Sequence, residues 1–162
     1  MAVKKQAGTA SLGFAEGAAS VTLATLTTLV ELHRFSPVNF VKIDTDGYDV
    51  KCLRGGEKVI RRDCPTLFFE YSPLDLEAVG EDPMSIWPFL ADLGYEKAFF
   101  YDNEGVPLMQ LNLSQQNEIA QLAAYAKNRP LYYDVLVWHR SRNSQFASWA
   151  VSEGKINTNG KN

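Results

Sequence analysis

The stretch Phe40-Val41-Lys42-Ile43-Asp44-Thr45-Asp46-Gly47-Tyr48-Asp49 is an apolar run that ends in carboxylates and a glycine. Apolar residues of β-forming type, bounded by turn residues, predict a buried strand over Phe40 to Asp44. Acidic groups at the carboxyl end of such a strand lie where open α/β sheets bind ligands. Lys42 and Asp44 are two residues apart and share one face. A lysine in a strand covered on both sides is costly unless paired, and Asp44, Asp46 and Glu70 are its available partners.

Outward from this stretch, strands and helices alternate. Val21-Thr22-Leu23 predicts a short strand. Thr25 to Leu32 carries Leu26, Leu29, Val30 and Leu32 at helical spacing, and Pro37 ends the segment. Val50, Leu53, Val59 and Ile60 also have helical spacing, but Gly55-Gly56 divides them into two short helices. Leu67-Phe68-Phe69-Glu70-Tyr71 is a second strand tipped with a carboxylate, closed by Ser72-Pro73. Residues 74–84 read as an acidic loop. Ser85 caps a helix through Leu93, with Gly94 at its end. Tyr95 to Tyr101 and Val106 to Leu111 flank the turn Asp102-Asn103-Glu104-Gly105 as a hairpin. Ser114 to Lys127 predicts a helix, and Leu131 to Trp138 the last strand. Residues 1–19 read as an N-terminal loop, 20–139 as one α/β domain, and 140–162 as a disordered tail. The order predicts a mostly parallel sheet with an antiparallel hairpin strand.

Bulk composition narrows the function classes. The 162 residues, 46% of them hydrophobic, make one domain's worth of chain. A net charge of −3 leaves no basic footprint for nucleic acid. Cys52 and Cys64 have neither metal nor redox spacing and read as reduced packing residues. The N-terminus lacks an apolar leader core, and no run reaches the roughly 20 apolar residues of a membrane span. The expectation is a cytoplasmic protein with a small-molecule substrate, no nucleic acid and no membrane.

If the two acid-tipped strands are neighbours, Asp44 and Glu70 converge at one crevice. Two carboxylates there can attract a cation, accept a proton or hold a divalent metal, although no dedicated metal motif is present. Tyr48 and Tyr71 follow the acidic clusters, and with Lys42 they are candidate substrate contacts; packing is the other reading for the tyrosines. Asp49 reads as a helix-start residue. His33 and His139 have no nucleophile motif beside them and read as surface or cap residues.

Two families share features with these residues. Asp44-Thr45-Asp46-Gly47 resembles the nucleophile motif of haloacid dehalogenase-like phosphatases, with Asp44 and Asp46 as the acting pair. Tyr48 replaces the Thr or Val expected there, and no later paired-aspartate motif follows. The longer resemblance is to FkbM-family S-adenosylmethionine-dependent methyltransferases. It begins at Gly8-Thr9-Ala10-Ser11-Leu12 and continues through Thr25-Leu26. Its strongest part is Val41 to Asp49, which is similar to the family's Lys-Ile-Asp-x-Glu-Gly-x-Glu signature. It runs on through Leu53-Arg54-Gly55-Gly56, Phe68-Phe69-Glu70 and Leu93-Gly94-Tyr95. Asp46 and Asp49 stand where the family has glutamates, and Thr27-Thr28 where it has acidic residues.

This resemblance implies a Rossmann-like class I sheet of strand order 3-2-1-4-5-7-6, with strand 7 antiparallel. The Val21, Phe40 and Leu67 segments would be strands 3, 4 and 5, and the two late strands 6 and 7. No G-x-G-x-x-G run occurs, so strands 1 and 2 and the cofactor loop are expected to be missing and the sequence to be a C-terminal portion. Strand 3 would then have no neighbour, and the Phe40–Asp44 strand would offer an open edge to a second copy or a partner chain. The implied cofactor is S-adenosylmethionine, with Thr9 and Ser11 as its candidate contacts, and the implied reaction is O-methylation of a sugar or small metabolite. In such an enzyme Asp44 is expected to act as base or to orient substrate. Glu70 would position a hydroxyl, Asp46 would support the loop, and Lys42 would hold Asp44 ionised. The alternative is a non-catalytic, methyltransferase-like module that needs a partner chain.

Overall fold

The computed structural model describes residues 2–3, 8–14, 17–129 and 131–146, with side chains from residue 23 onward. Strands β1 (Ala2–Val3), β2 (Gly8–Phe14) and β3 (Gly17–Ala24) form a three-stranded sheet in the order β1-β3-β2. β4 (Phe40–Ile43), β5 (Thr66–Tyr71), β6 (Tyr95–Tyr101), β7 (Pro107–Asn112) and β8 (Tyr133–His139) form a second sheet in the order β4-β5-β8-β6-β7.

Two expectations change here. Residues 8–14 and 17–24, read as loop followed by a short strand, form an antiparallel hairpin in which Gly8 opposes Leu23 and Phe14 opposes Gly17. The Val21 segment therefore has neighbours, but they lie in the separate sheet. An isolated strand leaves its backbone N–H and C=O groups unpaired, and the preceding Gly/Ala/Ser/Thr stretch supplies their partners. The large sheet is also mostly antiparallel, because only β4 and β5 run parallel. β8 inserts between β5 and β6 antiparallel to both, and β7 returns from β6 as the predicted hairpin. The parallel relation of β5 to β6 is thus realised across β8.

Among the described residues the strands are connected by helices α1 (Leu26–Leu32), α2 (Asp49–Gly55), α3 (Glu57–Asp63), α4 (Pro73–Ala78), α5 (Ile86–Asp92) and α6 (Gln116–Lys127). The divided helix predicted around the glycines is α2 and α3, which meet at Gly56. A Cβ at Gly56 would lie 2.7 Å from Leu26 Cδ2, so the bend also lets α1 approach closely. The predicted acidic loop contains α4 instead. Ser72 caps it by accepting from the Asp75 N–H, and Pro73 starts it at a position that needs no donor. The predicted tail begins with a 3₁₀ turn over Arg140–Arg142, capped by His139. Arg142 Nε donates to the Cys64 carbonyl at 2.9 Å, tying that turn to the start of β5.

The strand periodicity sorts residues onto two faces. Ile43, Phe69, Val135 and Phe100 make one row across β4, β5, β8 and β6, and Val41, Leu67, Val137 and Ala98 another. These residues pack with Val50, Leu53, Ile60, Leu76, Trp87, Leu90 and Ile119 of the helices as one core. Trp87 is fully buried at its centre, with ring centroids 4.9 Å from Tyr71 and 5.6 Å from Phe100. Cys52 is buried in the same core and Cys64 is partly exposed; neither is in a disulfide. Among the described residues, no helix is long and apolar enough to cross a membrane.

The opposite face carries Lys42, Phe68, Leu136 and Phe99 in one row. β4 is consequently a half-buried edge strand and not the fully buried one its composition predicts. Phe40 is 55% exposed, and Val41 and Ile43 are buried. Lys42 needs no buried partner because it reaches solvent.

Replacing Trp87 with Ala is expected to cost about 3–5 kcal/mol through the cavity it leaves. Urea denaturation followed by circular dichroism measures this, and a loss under 1 kcal/mol would show that the core does not depend on this ring.

Candidate functional site

The site grows from the register of the large sheet. Ile43 pairs with Phe69, so Asp44 and Glu70 are the next residues along two adjacent parallel strands. Glu70 in turn opposes Asp134 on β8, and Asp134 opposes Tyr101 on β6. A row of three carboxylates, Asp44, Glu70 and Asp134, therefore crosses the end of the sheet on one face. The sequence predicted the convergence of Asp44 and Glu70. It did not reveal Asp134, which is far away in the chain and reaches the row only because β8 inserts beside β5.

The loop after β4 is shaped by two residues in the left-handed region, Asp46 at φ 47° and Gly47 at φ 90°. A Cβ on Gly47 would lie 2.7 Å from the Asp75 carbonyl, so only glycine lets the start of α4 close over this loop. Asp75 thereby joins the acidic group. Asp46 and Tyr48 are exposed, and the Lys51 ammonium lies 5.1 Å from the Tyr48 ring centroid. Asp49 opens α2, as predicted, and is completely buried. Its Oδ2 accepts from the Thr45 hydroxyl at 3.0 Å, whereas Oδ1 has no hydrogen-bond partner of normal geometry among the described residues.

Lys42 Nζ donates to Asp44 Oδ2 at 3.1 Å, and the two side chains are 56% and 60% exposed. This is the predicted ion pair, but solvent screens it. Tyr71 does not line the crevice. Its side chain turns into the core, and its hydroxyl donates to the Pro83 carbonyl at 3.3 Å. The alternation of β5 puts Tyr71 on the face opposite Glu70, a consequence of period two that the sequence contained. The side chains of Thr9 and Ser11 lie outside the described residues. His139 is a cap, as read, and His33 is an exposed residue at the end of α1.

Electrostatics single out Glu70. Burial raises its proton affinity first, and the neighbouring charges of Asp49, Asp44, Asp46 and Asp75 add to this, so its pKa is pushed up to about 7. Burial also raises Asp134, with Asp44 adding to the rise and Lys42 opposing it. Asp49 is raised by burial, against which the Thr45 hydrogen bond and nearby backbone N–H groups pull. The arrangement can hold a proton near neutral pH on a half-buried carboxylate beside solvent-facing acids. Among the described residues, no group of three or more His, Cys, Asp or Glu is arranged to hold a metal ion.

A sequence profile described as "Methyltransferase FkbM domain" matches residues 2–97, more than half of the chain. The chain belongs to the FkbM methyltransferase family. No curated protein and no solved structure matches it. The FkbM match contains β4, β5, the loop between Asp44 and Asp49, and every residue of the acidic group except Asp134. The phosphatase resemblance rests on four residues inside that FkbM match.

Glu70 is protonated more readily folded than unfolded, so its contribution to stability is fully present below about 4.5 and is lost as pH rises through about 7. The unfolding free energy of wild type is expected to fall across that window, and Glu70→Gln should flatten the slope. Chemical denaturation at a series of pH values measures both, and an identical slope in the variant would refute the assignment.

Proposed function

We propose that this FkbM methyltransferase domain serves S-adenosylmethionine-dependent O-methylation of a small hydroxylated metabolite or sugar, with Glu70 as proton acceptor. The observation that carries this reading is the half-buried Glu70 at the end of β5, with a pKa of about 7, inside the family match. A general base works best when its pKa lies near the operating pH. Asp44, the expected base, is solvent-exposed and tied to Lys42, so its role in this reading is to orient substrate.

The strand order supports the same reading. β4-β5-β8-β6, with β8 antiparallel to both neighbours, corresponds to positions 4-5-7-6 of the class I methyltransferase sheet, with β7 added outside. On this reading the cofactor-binding strands pair with the outer edge of β4, where exposed Phe40 continues the apolar face. The polypeptide that supplies them carries the glycine-rich strand, loop and helix that these residues lack.

The donor set fits a cationic cofactor. Asp44, Asp46, Glu70, Asp75 and Asp134 give the crevice a negative field that favours a sulfonium, and exposed Asp44 and Asp46 are the groups that would meet it. When bound, S-adenosylmethionine supplies an electrophilic methyl group. Glu70 would hold the substrate hydroxyl and take its proton as the oxygen–methyl bond forms and the methyl–sulfur bond of the sulfonium breaks, leaving a neutral thioether. The fixed acids around it need no reorganisation as that charge moves.

The test uses the full polypeptide containing this domain, labelled S-adenosylmethionine and a panel of sugars and hydroxylated metabolites. Labelled ether product is expected. Glu70→Gln should lower turnover about 10²–10⁴-fold, and Asp44→Asn should raise KM more than it lowers kcat. Absence of transfer to every hydroxyl acceptor, or undiminished turnover in Glu70→Gln, would overturn the reading.

A further inference from the structure

The acidic row continues past its carboxylates into an aromatic corner. Tyr101 stands opposite Asp134 as Asp134 stands opposite Glu70, so the three side chains project on one face from three adjacent strands. Phe68 precedes Glu70 by two residues and lies on the same face. Its ring meets that of Tyr101 edge to face, with centroids 6.4 Å apart and planes inclined at 65°. All four residues are partly exposed. Proton transfer to Glu70 gives the two rings no role.

The other end of this face is closed differently. Trp138 stacks on Phe99 and on Phe146, at centroid distances of 5.6 and 4.4 Å, and both Trp138 and Phe99 are buried. There the aromatic cluster is packed shut, whereas Phe68 and Tyr101 keep accessible surface beside Glu70 and Asp134. Apolar surface bordered by a few directional polar groups is the composition of a small-molecule contact.

We propose that Asp134, Tyr101 and Phe68 determine acceptor specificity. They receive a six-membered polyhydroxylated ring, a pyranose or cyclitol, whose apolar face rests on the aromatic corner while one hydroxyl meets Glu70 and a second meets Asp134. This rests on the reading of Glu70 as proton acceptor.

The geometry sets the class of acceptor. Neighbouring strands lie about 4.8 Å apart, so the row from Glu70 to Tyr101 spans roughly 10 Å, room for one such ring with its substituents. Directly opposed strand residues have Cβ atoms about 5 Å apart, which lets Glu70 and Asp134 accept from two hydroxyls of the same ring. The axial C–H groups of a pyranose carry slight positive charge and favour the negative face of an aromatic ring. An open-chain polyol offers the same hydroxyls without an apolar face, and it loses more conformational freedom on binding. The order along the row also suits transfer. The cofactor-binding strands lie on the β4 side, the acceptor ring lies over β5, β8 and β6, and the reacting hydroxyl falls between them at Glu70.

The test is calorimetric titration of the full polypeptide with methyl pyranosides of differing configuration, with inositol, and with the open-chain alditols sorbitol and mannitol. At least one cyclic probe is expected to bind about tenfold more tightly than either alditol. Tyr101→Leu keeps apolar bulk but removes the ring, and should weaken that probe about five- to tenfold. Tyr101→Phe should stay within about twofold of wild type, and Asp134→Asn should bind about tenfold more weakly. Equal binding of cyclic and open-chain probes, no binding of any cyclic probe, or a loss in Tyr101→Phe as large as in Tyr101→Leu would overturn the proposal. Unchanged binding in folded Asp134→Asn would also overturn it, which keeps the proposal testable if Tyr101→Leu does not fold. Because the readout is binding and not turnover, the expected pattern without methyl transfer would refute the enzymatic reading alone.

Discussion

The register of β5 between β4 and β8 is the constraint on which the rest depends. Phe69 sits between Ile43 and Val135, and all three face the helices. A slip of one residue would move the apolar row to the opposite face and drive Lys42, Glu70 and Asp134 into the core. The hydrophobic pattern therefore fixes the register, and the register creates the acidic row as a by-product. Like charges on directly opposed strand residues repel, so Glu70 and Asp134 sit together at a cost that core burial offsets. The raised proton affinity of Glu70 comes first from its burial and then from the charges of Asp49, Asp44, Asp46 and Asp75 gathered at this end of the sheet.

The loop between β4 and α2 converts this strained end of the sheet into a site. Gly47 allows the close approach of α4, Thr45 fixes Asp49, and the sharp turn starts α2 with a buried acid. Solvent-facing Asp44 and Asp46 lie beside half-buried Glu70 and fully buried Asp49. The result is a gradient of burial across carboxylates of similar intrinsic acidity, and such gradients separate groups that hold protons from groups that stay ionised.

Local features were legible in the sequence. The split at Gly55-Gly56, the hairpin at Asp102–Gly105 and the acid-tipped ends of β4 and β5 follow from spacing and turn chemistry; the helix after Ser85 follows from its apolar spacing, but the Ser85 side chain does not cap it, and Asp82 caps the 3₁₀ turn that leads into it. The inward turn of Tyr71 was contained in the alternation once Glu70 was placed on the outer face. What the sequence hid was non-local. Nothing near Asp134 indicates that β8 inserts beside β5, and nothing in residues 8–24 indicates that they pair with each other in a separate sheet. Asp49 was legible as a helix start but not as a buried group, because its burial is set by the tertiary fold and leaves no mark in the local spacing.

The most direct test of the central claim is the pH dependence of single-turnover methyl transfer at saturating S-adenosylmethionine in the full polypeptide. The account predicts a rate that rises with one ionisation centred near 7, the value set by the surroundings of Glu70. A rate that is flat from pH 5 to 9, or one that rises through the ordinary carboxylate range near 4, would contradict it.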